Sequence, residues 1–187
     1  MKKLILIGGV LASGKSTYSM FLKEKLKINV INKDRLKEIL GDNIYVETRE
    51  ENKKLSVICF DLMKYLVLAN ETTLLLECNF KDYELVELKK ICEELNYDVL
   101  SIVFDASNEI LHERFLKRLN ENRHYVHKSQ DFTNIEDFIK TQDELRNAPY
   151  FGKIINVNCD DFSYQEDLIL LNKIEEFIKN KYPKAKL

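Results

Sequence analysis

The sequence predicts an α/β protein, a three-layer α/β/α sandwich around a five-stranded parallel sheet. Three observations carry this. Five short apolar runs, at residues 4–7, 28–32, 72–76, 99–104 and 153–158, are each followed by a stretch with helical spacing. The run at 72–76 is apolar or β-branched at every position, as a strand buried on both faces should be. The alternation is strict, and right-handed crossovers then cover both faces of the sheet with helices. In that arrangement ligands bind outside the carboxyl ends of the strands. The only prolines, Pro149 and Pro183, mark no linker, and 187 residues suit one domain spanning 1–187.

The first unit, residues 2–26, reads KKLILIGGVLASGKSTYSMFLKEKL. Its strand runs into Gly9-x-x-x-x-Gly14-Lys15-Ser16, and Tyr18, Phe21, Leu22 and Leu26 give the helical spacing that follows. Strand, glycine loop and helix in that order form a phosphate-binding P-loop. Gly9 and Gly14 let the backbone turn, so that N–H groups of Ala12, Ser13, Gly14 and Lys15 point inward at phosphate oxygens. The helix start adds unpaired N–H groups and its positive dipole end. Lys15 reaches the β- and γ-phosphates, Ser16 supplies a hydroxyl to Mg²⁺, and Thr17 lies near the α-phosphate. Chance is a poor rival, because three of the chain's five glycines fall here. A secretory leader is another poor one, because the apolar run is short and interrupted by glycine. The fold class sharpens accordingly to a P-loop NTPase fold.

The second run gives way to a helical segment at 35–40. Asp34 stands at that junction, either as helix cap or as the carboxylate that takes the proton of an acceptor hydroxyl in phosphoryl transfer. Arg35 and Lys37 follow it, fitted to an anion on the acceptor or to solvent. A long helix is expected over 50–69. The third run ends in Glu77, where an acid can hold Mg²⁺ together with Ser16 or simply turn the chain. Asn79 can orient the acceptor or form the turn. Helices are expected over 82–95 and 109–119. The second of these carries Arg114 and Arg118 at i, i+4, with Arg123 beyond it. Such arginines close over phosphates, in a helical lid spanning approximately 109–133, or form ion pairs on a surface helix. Helices over 135–146 and 164–179 complete the pattern.

With 29 basic and 31 acidic side chains well mixed, no overall basic field favours non-specific nucleic-acid binding. Cys59, Cys78, Cys92 and Cys159 are scattered, the usage expected of buried thiols in a reducing cytoplasm. No stretch reaches the roughly 18 apolar residues of a membrane span. His112, His124 and His127 lie far from any cysteine, and lid or substrate contact suits them better than zinc. The oligomeric state is left open.

The stretches GGVLASGKST, INKDRLK, LLLECN and FDASNEILHERFLKR resemble, in order and spacing, the kinase domain of polynucleotide 5′-hydroxyl kinases. They are similar also to zeta-toxin-like and chloramphenicol phosphotransferases, and to small bacterial predicted kinases of the "AAA family ATPase" kind. The match spans residues 2–127. The resemblance implies ATP-dependent phosphorylation of a hydroxyl on a nucleic-acid end or a small molecule. ATP and Mg²⁺ would be held by Lys15 and Ser16, Asp34 would be the base, Lys37 would meet the acceptor phosphate, and Arg118 would be the lid arginine. Lys37 stands where those enzymes carry an arginine, and Arg123-His124-x-x-His127 matches a segment of some predicted kinases in the group. The other readings are an ATPase or nucleotide-dependent switch, a toxin-like kinase of a sugar nucleotide, and a non-catalytic nucleotide binder. No D-x-x-G occurs, which excludes the GTPase class.

Overall fold

The computed structural model describes residues 2–119, 121, 123–130 (128–130 by backbone alone) and 134–180. In chain order the elements are β1 (Lys3–Gly9), α1 (Lys15–Leu26), β2 (Asn29–Asn32), α2 (Lys33–Gly41), α3 (Arg49–Ala69), β3 (Thr73–Glu77) and α4 (Asp82–Glu94). They continue with β4 (Asp98–Asp105), α5 (Asn108–Leu119), a 3₁₀ turn (Tyr125–Gln130), α6 (Ile135–Arg146), β5 (Lys153–Asn158), a second 3₁₀ turn (Ser163–Gln165) and α7 (Leu168–Lys179).

The sheet is wholly parallel, in the order β2-β3-β1-β4-β5. β1 is buried at every position, which explains why its run carries no polar alternation. Its pleat sorts the core. Leu4 and Leu6, with Leu74 and Leu76, face Phe60, Met63 and Val67 of α3 and Leu85 and Leu88 of α4. Ile5 and Ile7, with Leu100, Ile102 and Phe104, face α1, α5, α6 and α7 through Tyr18, Leu22, Leu111, Phe115, Phe138 and Ile174. Three layers result, as expected. The register pairs Ile7 with Glu77, Asn32 with Glu77 and Gly9 with Phe104, so the strand ends that carry polar residues meet along one edge.

Two helix starts differ from expectation. The cap of α2 is Asn32, whose Oδ1 accepts from the Arg35 N–H at 2.7 Å; Asp34 lies inside the first turn. The last helix begins at Leu168 rather than 164, because Asp167 caps it by accepting from the N–H groups of Ile169 at 2.8 Å and Leu170 at 3.1 Å. The expected lid region contains α5 and the first 3₁₀ turn, whose Val126 is fully buried beside Val46 and Leu55 in a small separate core. Residues 120, 122 and 131–133 of that lid lie outside the described residues. Among the described residues, no helix is long and apolar enough to cross a membrane.

Candidate active site

The loop between β1 and α1 is a left-handed cradle. Gly9 has φ 114°, Ala12 60° and Gly14 88°. Positive φ in alternation with ordinary backbone turns successive N–H groups to one side, which is the concavity that binds anions. Sterics enforce the two glycines: a Cβ on Gly9 would stand 2.0 Å from the Phe104 carbonyl oxygen, and one on Gly14 2.1 Å from the Tyr164 hydroxyl. α1 has no acid in its first turn, unlike α2, α3, α4, α5 and α6. Gly14 supplies no side-chain cap either. The positive end of α1 is thereby left for an external anion.

Lys15 is buried inside the loop. Its ammonium donates to the Val10 carbonyl and, at 3.2 Å, to the Ser13 hydroxyl, while Ser13 donates to the same carbonyl at 2.8 Å. Burial pushes the Lys15 ammonium down to about 8, against the opposing pull of Glu77 and Asp34. Glu77, at the end of β3, is buried as well, and desolvation drives its carboxyl up to about 7, with Lys15 working the other way. Its Oε1 accepts from the Ser16 hydroxyl at 3.2 Å and its Oε2 from the Asn32 amide. One hydroxyl and one carboxylate side by side are a hard-oxygen donor set that fits Mg²⁺, which usually takes few protein ligands beside phosphate oxygens and water. Among the described residues, no cluster of three or more His, Cys, Asp and Glu forms a separate metal site.

The other expected residues divide by position. Asp34 is exposed on the first turn of α2, and its charge acts on both Lys15 and Glu77. Arg118, exposed on α5, acts on the same two groups from the opposite side of the charge balance. Thr17 is exposed just behind Ser16. Lys37 is only 4% exposed and makes no hydrogen bond or ion pair among the described residues. Burial lowers its pKa; Asp34 opposes that, and Lys33 and Lys81 add to it. Among the described residues the Asn79 Oδ1 is buried without a partner, an unsatisfied acceptor two residues past Glu77. Arg123 is half-buried at the entrance to the first 3₁₀ turn.

Arg114 of α5 is held by the segment that follows β5. Its guanidinium donates to the Cys159 carbonyl at 2.7 Å and the Asp160 carbonyl at 3.0 Å, and lies 4.3 Å above the centre of the Phe162 ring. Phe162 in turn approaches Gly14, so this cation–π pair flanks the loop on its α7 side. Asp105, another strand-end acid, is engaged by Arg146 of α6 at 3.0 Å.

Four contributors were not apparent from the sequence. Asn32 both caps α2 and holds Glu77. Gln142 of α6, fully buried, accepts from the Leu11 N–H at 2.8 Å. The Tyr150 hydroxyl accepts from the Gly9 N–H at 2.7 Å, and its ring fills the space a side chain on Gly8 would need. Tyr164 packs over Gly14. Only Gln142 left a trace in the sequence, as a polar residue between Phe138 and Leu145 on the apolar face of a helix.

Comparison with known proteins agrees with this geometry. A candidate kinase from Chloroflexus aurantiacus superposes with a TM-score of 0.77 at 20% identity, covering 96% of this chain and 99% of the other. Kti12 from Chaetomium thermophilum, captured with ADP-AlF3, gives 0.62 at 15% identity over 95% and 100% of the two chains. Shikimate kinase from Aquifex aeolicus gives 0.57 at 14% over 95% and 99%. At such identities the likeness establishes the three-layer P-loop fold. No curated protein sequence matches the chain. The family model AAA_33, described as an AAA domain, matches residues 4–140, well over half of the sequence. The chain belongs to this AAA-domain family.

Proposed function

We propose that the chain is an ATP-dependent phosphotransferase that moves the γ-phosphoryl group of ATP to an acceptor hydroxyl. The observation that carries this reading is the position of Asp34, an exposed carboxylate on the first turn of α2 whose charge acts on Lys15 and Glu77 beside the phosphate loop. A protein that only binds nucleotide has no need of an acid that acts on its phosphate loop from beyond the end of β2, two strands away in the sheet. In this reading Lys15 and the loop N–H groups of Ala12, Ser13 and Gly14 hold the β- and γ-phosphates. Ser16 and Glu77 hold Mg²⁺, which when bound neutralises charge on the phosphates. Asp34 orients the acceptor hydroxyl and accepts its proton, and Arg118 balances charge on the transferring group. Arg114 and Phe162 take the base side of the nucleotide. Lys37, buried beside Asp34 with two further lysines acting on it, favours an acceptor that carries its own anionic group, and in this reading Asn79 and Arg123 also serve the acceptor. A polynucleotide 5′ end and a phosphorylated or carboxylated small molecule both meet that requirement.

The test is transfer from γ-labelled ATP to 5′-hydroxyl RNA and DNA oligonucleotides, nucleosides, sugars and sugar nucleotides. Label should appear on one acceptor class. In Asp34→Asn it should fall by about two to four orders of magnitude, the usual worth of a general base, with nucleotide affinity kept. Lys15→Ala should weaken both binding and turnover. Phosphate released to water alone, at the same rate in Asp34→Asn, would instead identify an ATPase or switch.

A further inference from the structure

Residues 123–127, which follow α5 in the chain, dock on α2 and α3. The Tyr125 hydroxyl donates to the carbonyls of Gly41 at 2.6 Å and Ile44 at 3.2 Å. The Asn52 amide of α3 donates to the Val126 carbonyl at 2.6 Å, and the Val126 side chain is fully buried. His124 Nε2 meets Asp42 at 3.1 Å, and His127 Nε2 meets Glu38 at 3.2 Å. Gly41 permits the contact: a Cβ there would stand 2.5 Å from a Val126 methyl and 3.3 Å from the His124 ring. Its φ is not in the left-handed region, so close approach alone calls for glycine.

The clasp grips α2 one turn beyond Asp34. Glu38 and Asp34 are at i, i+4 and share a helix face, and the charges of Asp34, Glu38 and Lys37 all act on the His127 ring. Burial alone would raise the Glu38 carboxyl, but Arg35, 2.8 Å away, and His127 hold it below the usual range. Glu38 is therefore ionised near neutral pH, and His127 presents Nε2–H to it. Burial of the ring lowers its pKa, against Asp34 and Glu38, so that tautomer is the neutral one.

We propose that His127 is a positioning residue for phosphoryl transfer: through Glu38 it fixes the turn of α2 that carries Asp34 and Lys37. The proposal rests on the phosphotransferase reading, and it ties the acceptor side of the cleft to the chain that leaves the Arg118 helix.

The first readout is acceptor-independent hydrolysis of MgATP, in which water takes the place of the acceptor beside Asp34. His127→Ala should lower kcat roughly tenfold to a hundredfold, the cost of a misplaced group, with KM for ATP unchanged. His127→Gln, which keeps an N–H for Glu38, should restore most of the rate. Gly41→Ala should imitate His127→Ala, and Val126→Ala added to it should relieve the clash and recover activity. Wild-type rates in folded His127→Ala, or equal losses in His127→Ala and His127→Gln, would overturn the proposal.

A second readout needs no turnover. With three histidines in the chain, the His127 ring can be assigned and titrated by NMR. Its pKa should fall in Asp34→Asn and in Glu38→Gln. If hydrolysis and transfer are both absent, the phosphotransferase reading fails, whereas a His127 titration unmoved by both substitutions sinks the positioning role itself.

Discussion

Burial acts in opposite directions on the two charges beside the phosphate loop. It brings the Lys15 ammonium down to about 8 and the Glu77 carboxyl up to about 7, because each loses more hydration than the other returns. The linkage signs follow. Glu77 holds a proton in the folded chain that it has lost in the unfolded one between its ordinary 4.5 and about 7, so stability falls as pH rises through that window. Lys15 has lost a proton in the folded chain that it keeps in the unfolded one between about 8 and 10.5, so stability rises there. Both penalties are therefore full between about 7 and 8, where binding of an anion at Lys15 and a cation at Glu77 relieves the most. Glu77 must be ionised to take a cation beside Ser16. The rise in melting temperature produced by MgATP should thus grow from pH 6 to about 7, hold between about 7 and 8, and decline above 8 as Lys15 loses its proton. Glu77→Gln should give a small shift with no such slope. An identical pH dependence in Glu77→Gln would remove Glu77 from the cation site.

At the scale of the element, the phosphate loop is held from outside by parts of the chain distant in sequence. Gln142 accepts from the Leu11 N–H, and Tyr150 accepts from the Gly9 N–H, across separations of 131 and 141 residues. The loop itself was legible, because strand, glycines, lysine and helix are contiguous and their chemistry is local. Asp34 and Glu77 were legible for a related reason, since parallel strands deliver their ends to one edge. The supports were not, because the spacing on α6 shows that Phe138, Gln142 and Leu145 share a buried face but not what the amide meets there. The docking of residues 123–127 onto α2 was hidden in the same way, as were the carbonyl and ring partners of Arg114. A direct consequence concerns Gln142. Gln142→Leu leaves the half-buried Leu11 N–H without that acceptor, which should cost about 1 kcal/mol. The urea midpoint should fall with the slope unchanged, and nucleotide affinity should fall with it as the cradle loosens. Full stability in Gln142→Leu would mean that the loop keeps its shape unaided.

Over the whole molecule, the helices covering one face of the sheet are joined by a charge pair inside an otherwise apolar layer. Lys33, at the start of α2, contacts Glu84, on the first turn of α4, and their side chains are 8% and 0% exposed. The surroundings complete the site: the Lys81 N–H donates to the second Glu84 oxygen at 3.0 Å, and the Lys33 ammonium lies 5.6 Å above the Phe60 ring of α3. Three helices thus meet at a point immediately behind Asp34, and no periodicity announces it, since a lysine and a glutamate at helix starts read as surface residues. Taking two charges out of water is costly, and their attraction repays it only while both are present. Glu84→Gln should therefore leave Lys33 uncompensated and destabilise the chain by about 3–5 kcal/mol, lowering the melting temperature by roughly 10 °C. Replacing both together, Lys33→Met with Glu84→Leu, should recover most of that loss, because an apolar pair of similar volume needs no partner. If the pair serves stability alone, turnover should recover with it. If turnover stays low in the stable double variant, the ion pair also fixes the start of α2, and through it the approach of Asp34 to the phosphate loop. Denaturant unfolding and MgATP hydrolysis measured on the same three proteins separate these outcomes, and a Glu84→Gln chain as stable as wild type would show that the pair holds neither.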